Sequence, residues 1–136
     1  GVPGYLILRL RAAVVSLAQL DSEAAARVGQ VMSRAARAIE REVGAERVYC
    51  LSFCEIDRQL HFHLFPRSRG LLEAYETATA TTGEPVNGPL LFEWARTTFA
   101  EGRALPDGFP SVADACLRIR RALAEAAEVG RKGDSP

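Results

Sequence analysis

The sequence predicts an α+β domain in which a small sheet packs against a long helix and further helices follow. Residues 4–11 and 59–66 alternate apolar with polar side chains, which is the period of a half-buried strand. Residues 47–54 are rich in β-branched and aromatic side chains, which also favour a strand. Between residues 4–11 and 47–54, apolar residues recur at steps of three and four, as in an amphipathic helix.

Composition limits the class of protein. The chain has 136 residues, of which 48% are hydrophobic and 25% charged, as expected for one globular domain. Its 17 basic and 17 acidic residues cancel, so we expect no nucleic-acid or membrane partner. Three cysteines without a secretory leader predict free thiols in a reducing compartment. No apolar run approaches the ~18 residues of a membrane span, and we therefore expect a cytoplasmic protein.

The first strand and the long helix have clear boundaries. The strand over residues 4–11 places alternate side chains, from Tyr5 to Arg11, on its polar face. Asp21 or Ser22 is expected to cap the helix, because a side-chain oxygen there accepts a hydrogen bond from a free N–H of the first turn. Gly44 is its expected end.

The next two segments are expected to form a hairpin, with residues 47–54 paired with residues 59–66 through the turn at 55–58. Its second arm carries both histidines of the chain. Alternation sends Gln59, His61 and His63 to one face of this strand and only apolar side chains to the other. The two imidazoles are expected about 7 Å apart, a spacing that suits two phosphate oxygens or one metal ion. Pro66 is expected to end the strand, because proline has no N–H.

The second half of the chain is predicted to be helical. Short helices are expected near residues 71–78 and from Pro89 to residue 100, with Gly102 as the end of the latter. Ser111, with Asp114 close by, is expected to cap the last helix. We therefore expect residues 71–130 to be a helical extension packed on the domain formed by residues 1–70, followed by a frayed tail at 131–136.

The segment Gln59-Leu60-His61-Phe62-His63-Leu64-Phe65-Pro66-Arg67 resembles the signature of the histidine triad superfamily, in which three histidines alternate with apolar residues before Pro-Arg. The strand beginning at Gly4 and the long helix also resemble that family, so the resemblance covers roughly residues 4–69. It implies an antiparallel sheet, although a helix between two strands by itself favours a parallel crossover. The family usually has a helix and about two strands before Gly4, so the resemblance implies a truncated core.

The resemblance also implies a function. Family members cleave nucleoside phosphoanhydrides or phosphoramidates through a covalent nucleotidyl-histidine, and by position His61 is the nucleophile and His63 its partner. Gln59 replaces the first histidine, and glutamine can donate a hydrogen bond to phosphate but cannot act as an acid near neutral pH. We therefore expect a hydrolase or transferase that binds a nucleotide or dinucleoside polyphosphate, needs no cofactor or metal, and forms a homodimer.

Four further residues are expected to bind phosphate in such a site: Arg11, Arg58, Arg67 and Ser52. Arginine donates charge-assisted hydrogen bonds to phosphate oxygens, and Arg67 directly follows the histidine motif. Ser52 is expected to take the place of an asparagine that orients a histidine in the family.

Two alternatives remain open at this point. A histidine triad fold without activity would act as a nucleotide-binding or protein-interaction module. A zinc site is the second, because Cys50 and Cys54 could share a face with His61 and His63, and thiolate and imidazole are the usual zinc ligands.

Overall fold

The structure of the chain is a computed structural model that describes residues 1–100, 103 and 105–133, with side chains described through residue 126. A 3₁₀ turn over Leu17–Gln19 lies between the first strand and the first helix. The elements in chain order are β1 Leu6–Arg9, α1 Ser22–Val43, β2 Ala45–Leu51, β3 His61–Ser68, α2 Arg69–Thr79, α3 Gly88–Thr98 and α4 Val112–Gly133.

The three strands form one sheet in the order β1-β3-β2, and both strand pairs are antiparallel. The predictions of an α+β fold and of an antiparallel sheet are therefore confirmed. The strand with both histidines is central, so every residue from His61 to Leu64 has a partner on β1. His63 lies between Ile7 of β1 and Leu51 of β2.

The prediction that Pro66 ends the histidine strand is wrong, because β3 continues to Ser68. Pro66 lies opposite Val48 of β2 and beyond Leu64, the last β3 residue that pairs with β1. The missing N–H of Pro66 therefore removes no hydrogen bond between β3 and β1. The strand also begins at His61, so Gln59 lies in the preceding loop instead of on the strand.

The long helix α1 forms as predicted. The Asp21 side chain accepts a hydrogen bond from the backbone N–H of Ala24 at 2.7 Å, and Gly44 ends the helix in the left-handed conformation with φ 64°. The buried face of α1 packs on one side of the sheet and on α4. The apolar cluster there consists of Ala35, Ala38, Ile39, Ala45, Leu64, Ile119 and Ala122.

The other side of the sheet is covered by α2 and α3. The buried apolar cluster there consists of Val2, Phe65, Leu71, Tyr75, Leu91, Phe92, Ala95 and Phe99. Phe65 belongs to the same face of β3 as the histidines, because side chains alternate along a strand. The histidine face of β3 is therefore also partly covered, and both faces of the sheet contact helices.

The later helices lie close to their predicted positions. Asn87 caps α3, which begins at Gly88, and the Ser111 hydroxyl accepts from the backbone N–H of Asp114 at 3.0 Å at the start of α4. Helix α4 continues to Gly133, which is three residues into the segment expected to fray, and residues 134–136 lie outside the described residues. Gly102 also lies outside them. None of the helices in the described part of the chain could span a membrane.

Candidate active site

The two histidines form the centre of the candidate site. His61 and His63 occupy alternate positions of β3, and their ring centroids are 4.9 Å apart with planes inclined by 79°. His61 is 8% exposed although it is polar, and His63 is partly buried. The strand thus presents both imidazoles on one face, as the alternation predicts, but the rings lean together and lie closer than the ~7 Å expected from the spacing along the strand.

The His61 ring is held in one orientation by the backbone. Its Nδ1 lies 2.7 Å from the carbonyl oxygen of Gln59, and Cys54 Sγ lies 3.7 Å from the same nitrogen. A carbonyl oxygen can only accept a hydrogen bond, so Nδ1 carries the proton. The neutral ring therefore has its lone pair on Nε2. Cys54 has a left-handed backbone with φ 53°, which bends the chain toward the ring.

The Nε2 atoms of both histidines reach solvent. Neither has a hydrogen-bond partner among the described residues, whose hydrogen bonds to these rings are all made at Nδ1. In that part of the chain, every buried side-chain nitrogen or oxygen has a partner. An Nε2 atom without a partner is therefore not buried. Both rings thus present a nitrogen to a ligand, although most of each ring is covered.

His63 is held by Tyr5 and covered by α3. The Tyr5 hydroxyl lies 2.6 Å from His63 Nδ1, and the Phe92 ring centroid lies 5.9 Å from that of His63. Burial lowers the pKa of His63, and the charges of His61 and Arg96 lower it further. His63 is therefore neutral at pH 7.

Gln59 serves the fold through its side chain. Its Nε2 donates to the carbonyl oxygens of Leu10 at 2.7 Å and Ala12 at 3.3 Å. These bonds fasten the loop after β1 to the start of β3. The side-chain donor expected to bind phosphate therefore faces the protein, and Gln59 touches His61 only through its backbone oxygen.

None of the four expected phosphate ligands makes a hydrogen bond to either imidazole among the described residues. Arg67 lies four residues beyond His63, about 13 Å along the strand, and forms an ion pair with Glu46 at 2.8 Å. Arg11 and Arg58 are exposed and have no side-chain partner among the described residues. Ser52 is linked to the pair through Cys54, because its Oγ lies 3.4 Å from Cys54 Sγ, which lies 3.7 Å from His61 Nδ1.

The alternative of a zinc site with four ligands fails for one of its members. Cys50 lies opposite Leu64, so it belongs to the face of the sheet away from the histidines. Cys54 does reach His61, at 3.7 Å from Nδ1. In the described part of the chain, no group of three or more His, Cys, Asp or Glu residues could hold a metal ion.

Sequence reasoning missed three residues that surround His63: Tyr5, Phe92 and Arg96. Tyr5 lies just before β1 and shares a face with Ile7, which pairs with His63. Knowledge of this register would have placed Tyr5 on the histidine face. Phe92 and Arg96 come one helical turn apart on α3, and the Arg96 guanidinium lies 5.3 Å from the Phe92 ring centroid. No signal in the sequence indicates that α3 packs on that face.

Comparisons with known proteins agree with this architecture. No protein-family profile matches the sequence, and no curated protein matches it either. Among solved structures, the chain is similar to a histidine triad protein of Bradyrhizobium japonicum, with a TM-score of 0.53 and 20% identity over 89% of this chain and 73% of that chain. A histidine triad protein of Sinorhizobium meliloti gives a TM-score of 0.51 with the same identity and coverage.

The central histidine strand in an antiparallel sheet, covered by a long helix, makes this a protein of the α+β class. The two solved structures then identify the fold as histidine triad-like. The match covers 89% of the chain and therefore extends beyond residues 4–69. The similarity includes part of the helical second half, which the sequence motif did not relate to the family.

Proposed function

We propose that the protein is a nucleotidyl hydrolase or transferase that acts on a dinucleoside polyphosphate or a nucleoside phosphoramidate. The observation that carries this proposal is the 2.7 Å contact between His61 Nδ1 and the Gln59 carbonyl oxygen. It leaves the lone pair on Nε2, the nitrogen that reaches solvent. A neutral, oriented imidazole with an accessible lone pair is what nucleophilic attack on phosphorus requires.

The reaction would proceed in two steps. His61 Nε2 attacks the phosphorus of the substrate, an N–P bond forms, and the bond from phosphorus to the leaving group breaks. Water, or the hydroxyl of another acceptor, then attacks the same phosphorus and releases His61. His63, whose ring centroid lies 4.9 Å from that of His61, would contact the oxygens of the substrate phosphate before the bond to the leaving group breaks.

Gln59 lowers the expected rate with poor leaving groups. It provides no acid, and its amide is bonded to Leu10 and Ala12. Loss of one general acid typically costs about 10²- to 10⁴-fold in rate. A polyphosphate leaves without protonation, so dinucleoside polyphosphates are the substrates that suffer least from this replacement.

A second function, a non-catalytic nucleotide-binding or protein-interaction module, is favoured by a different observation. His61 is 8% exposed, and α3 covers the same face of the sheet. Such a module would use the two Nε2 atoms as ligands for a phosphate without bond cleavage. Glu55 and Asp57 in the preceding loop oppose a polyphosphate, although Asp57 is paired with Arg9.

The test compares the metal-free protein with its His61→Asn variant. Both are incubated with diadenosine polyphosphates and with an adenosine phosphoramidate, and AMP release is followed together with the mass of the protein after rapid quenching. Release by the wild type, its loss in the variant and an added adenylyl mass support the proposal. Nucleotide binding without release favours the module instead, and absence of both refutes the enzyme and the nucleotide-binding module. Circular dichroism confirms that the variant is folded.

We also propose that the protein is a homodimer, as the family resemblance implies, and that it is cytoplasmic, as its three free cysteines favour. Sedimentation equilibrium of the full chain tests the dimer. A single species of the monomer mass, 14.8 kDa, at tens of micromolar concentration would contradict it.

A further inference from the structure

Among the described residues, the Tyr5 hydroxyl is the only hydrogen-bond partner of the His63 ring, and it lies 2.6 Å from Nδ1. The Tyr5 ring packs edge-on against Phe65 and Phe92, with centroids 5.9 and 6.0 Å away. These two contacts fix the position of the phenol ring. If Tyr5 donates this hydrogen bond, His63 Nδ1 is unprotonated, and if Tyr5 accepts it, Nδ1 carries the proton.

Chemistry favours Tyr5 as the donor. A phenol O–H is a stronger acid than a neutral imidazole N–H, and an imidazole nitrogen is a better acceptor than a phenol oxygen. Tyr5 is protonated at neutral pH, because burial raises its pKa more than the charge of Arg96 lowers it. The pKa of His63 is lowered, so the ring is neutral and can accept at Nδ1. Its single proton then lies on Nε2.

The two histidines therefore have opposite tautomers. His61 has its proton on Nδ1 and a lone pair at Nε2, because it donates to the Gln59 carbonyl. His63 has its proton on Nε2, because it accepts from Tyr5. The two solvent-facing nitrogens of rings 4.9 Å apart are thus a nucleophile and a hydrogen-bond donor.

We propose that Tyr5 is a positioning residue that holds His63 in its Nε2–H form and replenishes that proton when it is transferred to the leaving group. This inference rests on the proposed function. The Tyr5–His63 pair gives this chain a proton donor that Gln59, at the first position of the motif, cannot be.

The proton balance of this step is simple. As the bond from phosphorus to the leaving nitrogen or oxygen breaks, that atom takes the Nε2 proton of His63, and His63 Nδ1 takes the hydroxyl proton of Tyr5. The phenolate that forms is near the Arg96 guanidinium, whose charge lowers the pKa of Tyr5 and so favours the anion. Water that enters for the second step returns a proton by the reverse route.

The experiment uses Tyr5→Phe, which removes the hydroxyl and keeps the ring packed on Phe65 and Phe92. Tyr49→Phe is the matched control, because Tyr49 also stacks on Phe65, at 6.2 Å, and its hydroxyl has no hydrogen-bond partner among the described residues. Both variants and the wild type are assayed with two nucleotide substrates. One has an alkylamine leaving group, which needs a proton, and the other has a p-nitrophenolate leaving group, which does not.

With the alkylamine substrate, we expect Tyr5→Phe to lower kcat by about 100-fold with little change in KM, which is the usual contribution of a general acid. With the p-nitrophenyl substrate, we expect the variant to keep most of its rate. A purely structural role of Tyr5 would reduce both rates equally, and that result would refute the proton transfer while leaving the proposed function intact. Absence of turnover by the wild type would refute the proposed function and the transfer together.

A second measurement is independent of activity. Nitrogen-15 chemical shifts of the two imidazoles distinguish N–H from unprotonated nitrogen. We expect His63 to be the Nε2–H tautomer in the wild type and in Tyr49→Phe, and a mixture of tautomers in Tyr5→Phe. A proton on His63 Nδ1 in the wild type would show that Tyr5 accepts, and it would overturn the inference.

Discussion

The placement of Gln59 predicts that its replacement by alanine destabilises the fold. Its amide makes two hydrogen bonds to backbone carbonyls, at 2.7 Å to Leu10 and 3.3 Å to Ala12. One such bond contributes a net ~0.5–1.5 kcal/mol, and the bond to Ala12 is the longer and more exposed of the two. The alanine variant also avoids the entropy cost of ordering a glutamine side chain, which offsets part of this loss. We therefore expect Gln59→Ala to lower the free energy of unfolding by about 1–2 kcal/mol.

Urea denaturation followed by circular dichroism measures this loss. With a slope of ~1–3 kcal/mol per molar urea, the midpoint should fall by roughly 0.5–1 M. Gln59→Glu should fall further, because a carboxylate cannot donate to either carbonyl and repels both. Gln30→Ala is the control, since Gln30 is exposed on α1 and an exposed helix position should change stability by less than ~0.5 kcal/mol. An unchanged midpoint in Gln59→Ala, with loss of nucleotide cleavage, would contradict this reasoning and favour a direct role in the reaction.

Three other perturbations test the fold and the electrostatics of the site. Leu64→Ala, at a fully buried position of the central strand, should cost ~2–5 kcal/mol in urea denaturation, whereas Leu117→Ala at an exposed position of α4 should cost less than ~0.5 kcal/mol. Asp21→Ala removes the cap of α1 and should cost ~1 kcal/mol by the same assay, so an unchanged midpoint would contradict the cap. His63 should titrate below 6.5 by proton NMR, and Arg96→Gln should raise its midpoint, since the Arg96 charge lowers the pKa. A titration midpoint above 6.5 would refute this assignment. The unfolded chain binds the His63 proton more readily than the folded protein does. The contribution of His63 to stability is therefore present above pH 6.5 and is lost as the pH falls toward the folded pKa.

Local signals were enough to predict most of the fold. The cap at Asp21, the left-handed end at Gly44 and the apolar stripe between them define α1, because each is a property of a few neighbouring residues. The antiparallel sheet was not a local result. Helix α1 between β1 and β2 favours a parallel crossover, and only the placement of β3 between them allows both pairs to be antiparallel.

The candidate site was predictable only where it depends on the alternation along one strand. The alternation predicted that His61 and His63 lie on one face of β3, and the pairing of β3 with β1 agrees with this. It could not predict which groups the rings meet, because Tyr5 and Phe92 reach them from distant parts of the chain. Pro66 misled the prediction for a similar reason, since a proline ends a strand only if a neighbour on that side needs its N–H.

Access to the histidines depends on which side of the sheet remains open. Phe92 of α3 covers part of the His63 ring, whereas Ile7, the β1 residue opposite His63, is 56% exposed. Arg9 lies opposite His61 and is exposed as well. A phosphate that approaches the two Nε2 atoms over β1 would therefore meet Arg9 first, whereas Arg67 lies about 13 Å from His63 along β3 and is paired with Glu46. Because Arg9 is paired with Asp57, a bound phosphate would compete with that carboxylate for the guanidinium, and loss of the Asp57 charge should strengthen nucleotide binding.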